Sequence, residues 1–251
     1  MNELYSAGAL LGLADSKPET IAVIGCGGKT TLIASLANEF KHKKVLVTPT
    51  AKMFPLQGKK IVHRTTLTGC LSHMPLKGIQ CLGMLNETTG KLEAITQSEL
   101  ETMILQYDLV FLKADGSNGL PCKGWLANEP VIPLFCTHTI GVVTLNALGK
   151  PADSNMVLHL PEFLKLTGLC CGETITLKAL SKMVCADYGM FHNGKGRQSI
   201  FVNQAEDNAA AVLAKEWLQG IEKLYSGRFA CLAYGNARTN KWTALHAAGK
   251  G

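Results

Sequence analysis

Uninterrupted apolar runs alternate along this chain with segments whose apolar positions recur every three to four residues. TIAVIG (20–25), KKVLVTPT (43–50), DLVFLKAD (108–115), TIGVVTL (139–145), QSIFVNQ (198–204) and FACLAYG (229–235) predict strands. Continuous apolar character is what a strand covered on both faces requires. KIVHR (60–64) and QCLGML (80–85) are weaker strand predictions. Between them, TTLIASLANEF (30–40) carries Leu32, Leu36 and Phe40 at helical spacing. QSELETMILQY (97–107), MVLHLPEFLKLTG (156–168), TLKALSKMVCADYG (176–189) and NAAAVLAKEWLQGIEKL (208–224) also predict helices. In QSELETMILQY, Ser98 and Glu101 have the spacing of a capping box.

Strands interleaved with helices predict an α/β fold: a mostly parallel sheet with helices on both faces. The 251 residues suit a single domain over 1–251. Residues 151–197 interrupt the strand rhythm and predict a helix-rich insertion. FACLAYG reads as the final strand. The apolar AGALLGLA (7–14) has Glu3 where a secretory leader would carry positive charge, and it falls far short of the ~20 residues of a membrane span. It is expected to form a helix packed on the core.

Composition changes this picture little. Hydrophobic residues make up 47% and charged residues 18%, which fits a folded chain with a large core. The net charge of +6 is dispersed apart from small clusters such as Lys41-His42-Lys43-Lys44 and Lys59-Lys60, so neither a nucleic-acid nor a membrane partner is expected. Nine cysteines, with no C-x-x-C pair, suggest neither a disulfide framework nor a zinc site, and a reducing cytoplasm is the expected location.

The chemistry concentrates in VIGCGGKTTL (23–32). Aligned on Gly28-Lys29-Thr30, the phosphate-loop pattern G-x-x-x-x-G-K-[ST] fails at its first glycine, where Val23 stands. The physical requirement is narrower than the pattern. Main-chain N–H groups must curl around phosphate oxygens at a helix start, beside a lysine and a hydroxyl. Gly25, Cys26, Gly27 and Gly28 supply such a loop, Lys29 can bridge the β- and γ-phosphates, and the Thr30 hydroxyl can hold Mg²⁺. The competing reading is a glycine turn carrying a solvated lysine. It must account for three glycines and then two threonines between a buried strand and an amphipathic helix.

A nucleotide site also needs a carboxylate at the carboxyl end of a neighbouring strand. Asp108 precedes its strand and falls at the wrong end, whereas Asp115 ends it and is followed by Gly116, as a metal-organising aspartate or a turn residue. Thr48 and Thr50 end the second strand, where their hydroxyls can touch Mg²⁺ or phosphate, or simply form a Thr-Pro turn. FVNQAED (201–207) occupies the place of a guanine-reading N-K-x-D segment. It reads Asn203-Gln204-Ala205-Glu206, with Asp207 one position late, so ATP and GTP both stay open. His159, on an apolar helix face, is expected to be a packed core residue.

IGCGGKTTL, LVTPTAKM, ADGSNGLPCKGWLANEPVIP, HLPEF and FVNQAED occur in this order, and together they resemble the selenium-dependent hydroxylase accessory proteins of the YqeC type. The resemblance implies a phosphate-loop NTPase-like fold and a role in maturing selenium-dependent molybdenum hydroxylases. By position, Gly25, Gly27, Gly28, Lys29, Thr30 and Thr31 match its phosphate loop, Asp115 and Gly116 its acidic motif, and Lys123 and Glu129 the residues that follow. Lys123 and Glu129 are expected in a substrate loop or in a plain surface ion pair. One departure is Lys113, two residues before Asp115, where such proteins often carry glutamate.

The expected function is Mg-dependent binding and hydrolysis of a nucleoside triphosphate, with Lys29 and Asp115 in the reaction and a kinase as the less favoured enzyme. The alternative is a nucleotide-responsive binding protein or chaperone for a hydroxylase or a molybdenum-cofactor carrier, with little or no turnover. No catalytic base is assigned.

Overall fold

The computed structural model describes residues 8, 11–13, 18–58, 61–64 and 77–246. Among them, strands β1 (Glu19–Gly25), β2 (Lys44–Pro49), β3 (Ile61–Arg64) and β4 (Gly78–Leu82) belong to the main sheet. A ribbon of β5 (Met84–Asn86) and β6 (Lys91–Glu93) follows. The main sheet continues with β7 (Leu109–Lys113), β9 (His138–Thr144), β11 (Arg197–Asn203), β12 (Cys231–Asn236) and β13 (Lys241–His246). A two-stranded parallel pair, β8 (Cys122–Lys123) and β10 (Val157–Leu158), stands apart from it. The order across the main sheet is β13-β12-β11-β9-β1-β7-β2-β4-β3. Every pairing in it is parallel except β12 with β13.

The strands are apolar throughout because both faces are covered. Successive residues of β1 enter opposite cores: Ile21 and Val23 on one side, Ala22 and Ile24 on the other. Helix α1 (Lys29–Glu39) buries Leu32, Ile33 and Leu36 in the first core. Helices α2 (Gln97–Ile104), α3 (Leu160–Thr167), α4 (Leu177–Cys185) and α5 (Asn208–Leu224) place Leu100, Phe163, Met183 and Trp217 in the second. This is the expected α/β architecture. Among the described residues no helix is long and apolar enough to cross a membrane.

Strand succession reverses around β1. From β1 the chain passes beyond β7 to β2, runs to β3 at the edge and back to β4 beside β2, then returns through β7 and crosses to β9, β11 and β12. In an open parallel sheet, such a reversal leaves a crevice at the carboxyl ends of the strands, where ligands bind. The register aligns those ends: Val23 lies opposite Lys113, and Gly25 opposite Val142.

Several local expectations change. The cap of α2 is Thr96, not Ser98: its side chain accepts from Glu99 N–H while the Glu99 carboxylate accepts from Thr96 N–H. The same spacing occurs two residues earlier, and Thr96 alone has the extended backbone a cap needs. In MVLHLPEFLKLTG the helix begins only at Leu160, because Val157 and Leu158 pair with β8. FACLAYG is not the last strand; β13 follows it, and Trp242 is buried against Phe201 with ring centroids 4.1 Å apart. Residues 151–197 hold α3, α4 and β10 between β9 and β11. Most of AGALLGLA lies outside the described residues, but Leu11 and Leu13 are buried in the core beside α1.

Candidate functional site

The loop between β1 and α1 requires its glycines for two reasons. Gly28, the residue preceding α1, has φ 112° and Gly25 has φ 95°, a region that side chains avoid. A Cβ on Gly28 would also collide with the Asn203 amide, and one on Gly25 with the Val142 carbonyl. Gly27 faces Thr144 in the same manner. The α1 start has no side-chain cap and no acidic residue in its first turn. By contrast Thr96, Thr176 and Asp207 cap α2, α4 and α5. Uncapped N–H groups at the positive end of a helix favour an anion.

Asp115 lies one strand away and is almost fully buried. Its Oδ1 is 3.1 Å from Lys29 Nζ. Its Oδ2 accepts from Gly25 N–H and Trp125 Nε1–H, both at 3.0 Å. Lys29 also donates to the Gly25 carbonyl, so its ammonium folds back over the loop. Asp108 behaves as its position predicts: at the opposite end, it accepts from Lys44 N–H at 2.8 Å.

Two more buried lysines surround this carboxylate. Lys113 Nζ donates to the Asp115 carbonyl at 3.0 Å and to the Lys52 carbonyl, tying the segment after β2 to the end of β7. Burial, and secondarily repulsion from Lys29, lowers its pKa to about 8, while Asp115 opposes the shift. Lys113 therefore clamps backbone at the end of β7. Lys123 is fully buried and donates to the Gly116 carbonyl at 2.8 Å. It also pairs with Glu129 at 2.9 Å and lies 3.9 Å from Asp115. The Lys123–Glu129 pair is thus an internal bridge, not a surface one.

His159 departs from the expected packed core residue. It precedes α3 with φ 53° and ψ 59°, a left-handed conformation costing a non-glycine residue about 1–2 kcal/mol. Its half-buried ring places Nδ1 3.2 Å from the Gly124 carbonyl and 3.5 Å from Glu129 Oε2. The β8–β10 pairing brings it there, by setting Lys123 against Leu158.

The remaining predicted residues separate. Thr30 and Thr31 are half-buried in the first turn of α1. Thr48 is buried, with no hydrogen-bond partner for its hydroxyl, and Thr50 donates to the Val131 carbonyl at 2.6 Å. Cys26 lies in the buried floor of the loop, where desolvation raises its thiol to about 12. Asn203 braces the loop: its amide donates to the Gly27 carbonyl at 2.7 Å and accepts from Ala237 N–H at 2.9 Å. Asp207 is spent as the α5 cap, accepting from Ala210 N–H. Glu206 lines a cleft of about 350 Å³ with Gly28, Thr31, Gln204, Asn236 and Arg238.

Sequence reasoning assigned no role to Trp125, Asn236 or Arg238. Trp125 was legible only as part of GWLANEP, since nothing local shows that an indole N–H reaches Asp115.

A mostly parallel sheet, a glycine loop opening a helix and a carboxylate ending the adjacent strand make this a phosphate-loop NTPase-like α/β fold. Residues 21–161, more than half of the chain, match the YqeC protein family, and the chain belongs to it. It is 28% identical over 218 residues to the uncharacterised protein YqeC of Escherichia coli (strain K12), covering 84% of this chain and 85% of that protein.

Proposed function

We propose that the chain binds a nucleoside triphosphate with Mg²⁺ and hydrolyses it, in the maturation of selenium-dependent molybdenum hydroxylases. One observation carries the nucleotide part: the uncapped start of α1 lies beside the buried Lys29–Asp115 pair, at the point where strand order reverses. The maturation role rests on membership of the family and on the resemblance described above.

The polyphosphate would take the N–H groups of residues 27–30, since those of Gly25 and Cys26 are held by Asp115 and the Val142 carbonyl, and Lys29 would turn from the Gly25 carbonyl to the phosphates. Asp115 suits a cation in the absence of Lys29. Its Oδ2 is held by two neutral donors, while its buried Oδ1 accepts no hydrogen bond. Thr30 and Asp115 Oδ1 would hold Mg²⁺, which supplies charge neutralisation on the phosphates. The cleft lined by Glu206 and Arg238 adjoins Gly28 and has room for base and ribose.

The test is thermal denaturation with Mg-ATP and Mg-GTP, paired with phosphate release. A ligand at about 100 times its Kd stabilises the native state by about 2.7 kcal/mol. Lys29→Ala is expected to lose that gain. If Lys29→Ala and wild type respond alike, the site is elsewhere. The Lys113 clamp favours a second reading, a nucleotide-responsive chaperone for a hydroxylase or cofactor carrier. Tight binding without phosphate release, with client present, would select it.

A further inference from the structure

The HLPEF segment has no part in phosphate binding, yet the fold brings His159 to the charge cluster around Asp115. Two oxygens, the Gly124 carbonyl and Glu129 Oε2, face its Nδ1. Acceptors at Nδ1 place the ring proton there and leave Nε2 with its lone pair. Glu129 is in turn held by Lys123, which is anchored on Gly116, the residue after Asp115. A nucleophile, a base and a group orienting the base make a recurring catalytic set; here the imidazole is hydrogen-bonded through Nδ1 to the Gly124 carbonyl, and Glu129 Oε2 lies 3.5 Å away with no hydrogen-bond partner of its own. His159 has a left-handed backbone where it enters α3, and its ring nitrogen lies against Gly124 and Glu129.

The carboxylates of the Asp115 cluster are already engaged. Asp115 Oδ2 accepts two neutral donors and Oδ1 faces Lys29. Glu129 is neutralised by Lys123. The His159 imidazole is 28% exposed, so an incoming water or hydroxyl can reach it.

Building on the hydrolytic reading above, we propose that His159 is the general base for the group that attacks the γ-phosphate, with Glu129 as its positioning residue. The proton of the attacking water or hydroxyl passes to His159 Nε2 as its oxygen bonds to phosphorus. The bond from phosphorus to the β–γ bridging oxygen breaks, and its electron pair leaves with the nucleoside diphosphate. The proton then returns to solvent.

Full-length wild type, His159→Gln and Glu129→Gln are compared by calorimetric Mg-nucleotide affinity, single-turnover phosphate release and ¹⁵N NMR of the histidine rings. The wild-type His159 signals are expected to show an Nδ1–H tautomer. His159→Gln is expected to bind nucleotide within about 2-fold of wild type and to release phosphate about 10²-fold more slowly or worse. Glu129→Gln should lower kcat with little change in KM and shift the His159 tautomer signals.

Phosphate release by His159→Gln at the wild-type rate overturns the assignment, as does an Nε2–H tautomer in wild type. Wild type that binds nucleotide but never releases phosphate also overturns it, while leaving nucleotide binding standing. Wild type that binds no nucleotide removes the phosphate-site reading and this proposal together. The tautomer measurement needs no turnover, so it still decides the geometry if a variant fails to fold.

Discussion

Single residues in this molecule are governed by the cost of burying charge. Lys29, Lys113 and Lys123 are tolerated because each ammonium meets carbonyls or a carboxylate within the same cluster. His138 illustrates the opposite solution, neutralisation. It starts β9, fully buried, with its Nε2 2.8 Å from Ser199 Oγ. Desolvation, with Arg197 adding repulsion, lowers its pKa from 6.5 to about 3. Between those values the unfolded chain holds the additional proton, so stability falls as pH drops from about 6.5 toward 3. His138→Gln removes this titration. The urea midpoint of that variant is expected to change less between pH 7 and pH 4.5 than that of wild type.

Among the elements, termini carry most of the information. The Thr96–Glu99 box closes the first turn of α2, and Thr96→Ala is expected to cost about 1 kcal/mol in chemical denaturation. Ser98→Ala should be close to neutral, since Ser98 lies inside the helix. Equal losses for the two variants would reject Thr96 as the cap. Here the sequence marks the helix but not its first residue, because two overlapping Ser/Thr-x-x-Glu registers satisfy the same local rule. The boundary of α3 was hidden for a related reason. Val157 and Leu158 fit a helix pattern, and only pairing with Cys122 and Lys123 makes them a strand.

Across the whole molecule, the sheet order joins segments far apart in the chain. The phosphate loop at 25–30, the end of β11 and the turn after β12 meet at one cleft. Asn203 links all three, through Gly27 and Ala237. Nucleotide binding is therefore expected to slow amide hydrogen exchange together in residues 25–31, 203–206 and 236–239. Protection confined to the first segment would place the base outside this cleft.

What was legible beforehand follows from periodicity and from local chemistry. Buried parallel strands must be continuously apolar, so most of the sheet shows directly in the sequence. The loop shows because Gly25, Gly27, Gly28 and Lys29 fall within one short stretch, and Asp115 because it ends a strand. Contacts at long separation left no local trace. Trp125 on Asp115, the Lys113 clamp and the histidine–glutamate pair depend on which strands are neighbours and on where β8 meets β10. A side chain's chemistry is written in its type. Its partners are set by strand order and register, and these follow from burying the whole apolar surface at once.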